Sequence, residues 1–129
     1  MTPTSFEYTV DEWDYLDDLH VEETLYFIVM EAGTHTIGGK KWEAGRTLIN
    51  ENWTPVNFET DLGADPVVLS QVASDDDSAA VVTRHRDITG SRLQIRVQEE
   101  EGADGIHTPG ESIHYLVMVG GSGSEGGLD

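Results

Sequence analysis

The sequence predicts an all-β fold, an antiparallel β-sandwich of about eight strands, on three observations. Apolar residues alternate with polar ones in short segments along the whole chain. Turn residues separate those segments at roughly 8–12-residue intervals. Helical periodicity is nearly absent, and the one contender, Val10 to Leu19, has too little apolar face.

Each element has its own signal. Phe6, Tyr8 and Val10 alternate with Glu7 and Thr9, as in a half-buried strand. Thr24 to Met30 is apolar and β-branched throughout and reads as a buried strand. Thr34–Ile37 and Lys41–Glu43 flank Gly38-Gly39, a two-residue hairpin signal. Val56–Glu59, Pro66–Val72, Ala79–Arg86, Leu93–Glu99 and Ser112–Val119 complete the set. Between them lie Asp61-Leu62-Gly63-Ala64-Asp65-Pro66, Ser74-Asp75-Asp76-Asp77-Ser78 and Thr89-Gly90-Ser91, all with turn chemistry. Residues 1–121 are expected to form one domain, with 122–129 a flexible Gly- and Ser-rich tail.

Composition narrows the function. The chain carries 25 acidic residues against 7 basic ones, a formal charge of −18, with Lys40 and Lys41 its only lysines. Such self-repulsion is relieved by concentrated salt, where the Debye length shrinks to about 3 Å. The acids are interleaved with Val, Ile, Leu and aromatics rather than gathered in a tail, which reads as a salt-adapted globular surface. Nucleic acid is excluded as a partner, because phosphate neutralisation needs a basic surface. No stretch is long and apolar enough for membrane insertion. There is no cysteine, hence no disulfide and no zinc–thiolate site. The N-terminus lacks the pattern of a cleaved signal peptide, and an extracellular or virion-surface location remains the expectation.

The chain also echoes itself. At an offset of 87 residues, Phe6–Glu12 overlays Leu93–Glu99, Asp17 falls on Asp104, and His20 falls on His107. After a one-residue insertion, Glu23 meets Glu111, Leu25–Met30 meets Ile113–Met118, and Gly33 meets Gly121. Residues 1–33 therefore read as a half repeat echoing 93–121. Chance alternation would align the apolar positions but not Asp, His, Glu and Gly in order.

From Trp53 to Gly121 the chain resembles the H-type lectin domain. The resemblance rests on Val56-Asn57-Phe58, the proline-led Asp65-Pro66-Val67-Val68-Leu69, and Val81-Val82-Thr83-Arg84 followed by Asp87-Ile88-Thr89-Gly90. Leu93-Gln94-Ile95 and the closing Ser112-Ile113-His114-Tyr115-Leu116 complete it. It implies a compact, often trimeric antiparallel sandwich used for carbohydrate recognition, and looks closest to a branch with tandem modules in large acidic surface proteins. The family's sugar-site arginine, tryptophan and histidine fall near Ala80, Glu100 and Glu101 here, so the resemblance carries the fold and not that sugar site.

The residues left to weigh form three groups. Asp17-x-x-His20-x-x-Glu23 and Asp104-x-x-His107-x-x-x-Glu111 could hold a divalent cation, Ca2+ being the one that oxygen donors from Glu99 or Glu101 would suit. The same residues could instead form a hydrogen-bonded staple across a strand connection, and their duplication favours the staple. Trp42 and Trp53 could stack a sugar, although core packing is the commoner role. Arg84 and Arg86 share a strand face; Arg84 is expected to lean inward onto a carboxylate, with an acidic sugar as the sharper alternative. Glu100 and Glu101 join them as candidate ligand contacts. No nucleophile elbow or phosphate loop is present, so no enzyme is expected. His20, Glu23 and the following glycines only superficially suggest a cupin-like metalloenzyme. The reading is a carbohydrate-binding or adhesion module whose partner is a surface glycan, or else a self-assembling homo-oligomer, a trimer by preference, in a viral tail, turret or surface layer.

Overall fold

A computed structural model describes residues 4–13, 15–17, 19–100 and 103–121. Among them there is no helix. Seven strands, β1 (Gly33–Ile37), β2 (Lys40–Ile49), β3 (Thr54–Asn57), β4 (Val67–Val72), β5 (Val81–Arg86), β6 (Arg92–Glu99) and β7 (Glu111–Met118), form two antiparallel sheets. One has the order β1-β2-β7-β4, the other β3-β6-β5.

The hairpin forms where Gly38-Gly39 places it. Both glycines have positive φ, 56° and 72°, the conformation a two-residue turn needs if the strands are to keep their right-handed twist. β2 then runs well beyond Glu43, and pairs with β7 from Trp42↔Met118 to Ile49↔Glu111. Gly45 permits this length, because a Cβ there would stand 2.3 Å from the Tyr115 ring opposite. Pro55 sits within β3, an edge strand, where a missing N–H leaves no internal ladder bond unmade.

The sheets share one core. Ile49 of β2, Val56 of β3, Leu93, Ile95 and Val97 of β6, and Ile113 and Val117 of β7 form a contiguous buried cluster with Leu62. Full burial of a side chain such as Ile95 or Leu62 contributes about 1.5–3 kcal/mol. Strict alternation in β6 drives this: Leu93, Ile95, Val97 and Glu99 are buried, and the residues between them face away. The β3–β4 connection is held down by Leu62, whose N–H donates to Gly90 O, and by buried Glu43, whose Oε2 accepts from Glu59 N–H at 2.7 Å. Ser70 of β4 bridges to the other sheet. Its hydroxyl donates to Thr83 Oγ1 at 2.7 Å and lies 2.8 Å from His85 Nε2, both on β5.

Two expected strands are not formed. Phe6–Val10 and Thr24–Met30 carry no strand, and Tyr26 and Phe27 are 94% and 70% exposed. Their echoes explain why. β6 is flanked by β3 and β5, and β7 by β2 and β4. Alternation creates a strand only where neighbours complete its ladder, and no second set of flanking strands exists among the described residues. The Gly- and Ser-rich stretch 122–129 lies outside the described residues.

Candidate functional site

Two constellations stand out, one buried and one exposed. The buried one centres on His107, in the β6–β7 connection and wholly inaccessible. Its Nδ1 lies 3.2 Å from Glu99 Oε1, at the end of β6, and its Nε2 lies 3.0 Å from Glu111 Oε1, at the start of β7. Both carboxylates are buried as well. An imidazole can donate from both nitrogens only when protonated. Burial by itself would push the His107 pKa down. The hydrogen bonds to Glu111 and Glu99, with the nearby charges of Asp77 and Glu111, outweigh it and raise the pKa above the ordinary value. Glu111 is likewise disfavoured as a charge by burial. Ser74 Oγ–H, Asp77 N–H and Asp76 N–H, together with His107, hold it ionised and lower its pKa.

The result is a carboxylate–imidazolium–carboxylate bridge that gathers three loops. Glu111 anchors the β4–β5 loop through Ser74, Asp76 and Asp77. Asp77 Oδ2 accepts from Thr108 N–H at 3.1 Å, and Glu51 Oε2 from His107 N–H at 3.2 Å. Asp104 stands apart: its carboxylate accepts from Ile106 N–H at 2.8 Å and shapes the turn, while Asp77, Glu99 and His107 come within 4.8 Å of one another. This trio could present one nitrogen and two oxygens to a cation, but only after His107 gave up a proton and a carboxylate partner.

The half repeat reproduces this arrangement. His20 Nδ1 lies 3.5 Å from Glu12 Oε1, and its Nε2 lies 3.6 Å from Glu23 Oε1. Asp17 Oδ1 accepts from Leu19 N–H at 3.2 Å, as Asp104 does from Ile106. The difference is exposure: the His20 side chain is 37% accessible and that of His107 not at all.

The exposed constellation covers the outward face of the β3-β6-β5 sheet. Arg92, Gln94, Arg96 and Gln98 alternate with the core residues of β6, and Arg84 and Arg86 project from β5 on the same side. Four of the chain's seven basic residues thus share one face of a molecule of net charge −18. Arg84 stands directly across from Arg96, and like charges so placed repel. Trp53 lies at the centre, its ring 4.3 Å from the Arg86 guanidinium and 4.8 Å from that of Arg96. The neighbours orient these arginines without neutralising them. Arg84 Nε donates to Gln98 at 3.1 Å, and Arg86 donates to Gln94 at 2.7 and 2.9 Å. Only Asp87, 3.5 Å from Arg86, brings a carboxylate close, while Arg96 Nε is buried without a hydrogen-bond partner among the described residues. The expectation of an inward Arg84 paired with a carboxylate is therefore corrected. Val81, Thr83 and His85 take the inward side of β5, so parity sends Arg84 out.

The remaining candidates scatter. Trp42 lies half-buried on β2 in the other sheet, and shares no surface with Trp53. Glu100 is half-buried just beyond β6, and Glu101 lies outside the described residues. Arg92 and Arg96 were not singled out from the sequence, although the parity of β6 places them beside Arg86.

No family model and no solved structure matches the chain. One curated protein does. The chain is similar to a stretch of Halomucin. That protein, from Haloquadratum walsbyi (strain DSM 16790 / HBSQ001), is 33% identical over 124 residues, 92% of this chain. The chain spans about 1% of the length of Halomucin. A match this long cannot fit from Gly33 onward, so it takes in most of the strandless N-terminal segment. No helix among the described residues is long and apolar enough to cross a membrane.

Proposed function

We propose that the chain is a non-enzymatic carbohydrate-binding and adhesion module of a salt-adapted cell surface, and that the outward β3-β6-β5 face contacts acidic sugars. The observation that carries this reading is the gathering of Arg84, Arg86, Arg92 and Arg96 around Trp53 on an otherwise acidic molecule. Arginine offers carboxylates and sulfates a planar, two-pronged donor set, and an indole face offers the apolar side of a sugar ring a stacking surface. An anion lying between Arg84 and Arg96 would relieve their repulsion. The similarity to Halomucin, with its halophilic source, supports the salt-adapted surface reading of the composition and an extracellular location.

The test is a glycan screen in molar salt, with neutral, uronate-containing and sulfated sugars side by side, in calcium and again with chelator. Acidic glycans should bind in both conditions. Trp53→Ala and Arg96→Gln should each weaken binding by about tenfold or more, in line with losing one desolvated arginine or aromatic contact, at unchanged melting temperature. Binding that vanishes with chelator would move the site to Asp77, Glu99 and His107. No binding at all would refute the reading in favour of a self-assembling unit. That second reading draws on the exposed apolar residues of the N-terminal segment, and mass in solution at molar salt would measure its trimer.

A further inference from the structure

The N-terminal segment presents a contradiction. Tyr8, Val10, Val21, Leu25, Tyr26, Phe27, Ile28 and Val29 are all more than 40% exposed, on a chain whose other surfaces are dominated by acid. An apolar surface of this extent marks an interaction site. The sequence echo says which one. Phe6–Glu12 corresponds to β6 and Leu25–Met30 to β7, the two strands that contribute most of the core of the two-sheet body.

The structure adds evidence that no alignment contains. The Glu12–His20–Glu23 bridge uses the same ring nitrogens and the same carboxylate oxygens as Glu99–His107–Glu111. Asp17 shapes the connecting turn as Asp104 does. Phe6 and Phe27, the counterparts of Leu93 and Tyr115, already meet edge to face at 4.9 Å. Tyr8, Val10, His20 and Leu25 line an open depression, although the counterparts of Tyr8 and Val10, Ile95 and Val97, are wholly buried. Finally, Glu111 receives Ser74, Asp76 and Asp77 from the β4–β5 loop. Among the described residues no such loop reaches Glu23, which is 55% exposed.

We infer that residues 6–30 are the closing strand pair of a second two-sheet body, completed by another repeat that supplies the β1–β5 pattern of residues 33–86 with its Ser-Asp-Asp loop. The chain's own β1–β5 cannot serve, since they are paired with its own β6 and β7. The segment would enter between counterparts of β2 and β4 and of β3 and β5, and gain the ladder bonds it lacks here. The module boundary then falls near Gly33, inside a repeat as aligned, and adjacent modules are joined by a shared core rather than by a flexible linker.

The experiment is a fusion placing a second copy of residues 33–87 directly ahead of Met1 of the full chain, which the 87-residue offset joins without a gap. Amide hydrogen exchange is read in molar NaCl. Exchange at Leu25–Met30 should slow roughly 100-fold or more, towards the rates at Ile113–Met118, as a fraying segment joins a cooperative core. Val29→Asp should abolish that protection in the fusion, yet leave the melting temperature of the unfused chain unchanged, since Val29 is 58% exposed there. An apolar dye should bind the unfused chain and not the fusion. Unchanged exchange at Leu25–Met30, continued dye binding, or a fusion that fails to fold in soluble form would each overturn the inference.

Discussion

Replacing His107 by alanine removes the cation from a bridge whose two carboxylates stay behind. Glu99 and Glu111 are 7% and 1% exposed, and the imidazole between them is wholly buried. Removing one partner of a buried ion pair costs about 3–5 kcal/mol, because the remaining charge is left uncompensated. Glu111 keeps its bonds from Ser74, Asp76 and Asp77, whereas Glu99 keeps only Gly105 N–H at 3.1 Å. A loss near the middle of that range, about 4 kcal/mol, is therefore expected. In a body of this size each kcal/mol moves the melting temperature by about 4 °C or more, so His107→Ala should melt about 16 °C lower. The assay is thermal unfolding by circular dichroism in molar NaCl, where a buried pair is little screened and exposed pairs contribute almost nothing. Adding Glu111→Gln to His107→Ala should recover part of the loss, since it removes one stranded charge. The reasoning is refuted if His107→Ala melts within about 2 °C of the parent, well under the smallest cost the burial allows. It is equally refuted if chelator lowers the parent's melting temperature to that of the variant, because the cation holding the loops would then be a metal.

The bridge also sets a pH window. The folded His107 pKa is raised above 6.5, so its stabilisation is complete below that value and fades as pH climbs through the folded pKa. The folded Glu111 pKa is lowered below 4.5, so its stabilisation holds above that value and is lost as pH falls through the folded pKa. The melting temperature should therefore peak in mildly acidic solution, and His107→Ala should lack the alkaline limb. Melting should also rise steeply from low to molar NaCl or KCl as the net charge of −18 is screened, and a flat profile would refute salt adaptation. Gly45→Ala should cost about 1–3 kcal/mol by overpacking against Tyr115, measured by denaturant titration, and Tyr115→Leu should relieve much of it.

Much of the fold was legible where cause and effect lie close together in the chain. β4 to β7 begin and end within a residue or two of the alternating segments, because each meets partner strands on the schedule its turns dictate. The second half of β2 was not legible. Glu43-Ala44-Gly45-Arg46-Thr47 breaks the alternation, and what extends the strand is Tyr115, seventy positions away. Phe6–Val10 and Thr24–Met30 misled in the opposite way, since their pattern is that of a strand without the neighbours that make one. At the site, the spacing of His107 and Glu111 pointed to the bridge, and Glu99 was in view as an added oxygen donor. Asp104 resembled a ligand only because an Asp two residues before a backbone N–H is also a turn-former. Ser74 and Asp77 come from a loop more than thirty residues upstream, and nothing local announces them.

The sheet order has a mechanical consequence. β1 and β7 are each antiparallel to β2, and so run in the same direction. Gly33, where the chain enters the body, stands level with Ala44 and Leu116, close to where β7 leaves it at Met118. Tension along the chain therefore draws β1 and β7 in opposite directions along their axes, and the ladder bonds, which run across the strands, are loaded together instead of parting one at a time. Moving one point of attachment from Gly33 to Ile37 would convert shearing into peeling, and should lower the force at which the body opens. A module in a chain that is tugged from both ends gains its toughness from where the polypeptide enters and leaves, as much as from what it buries.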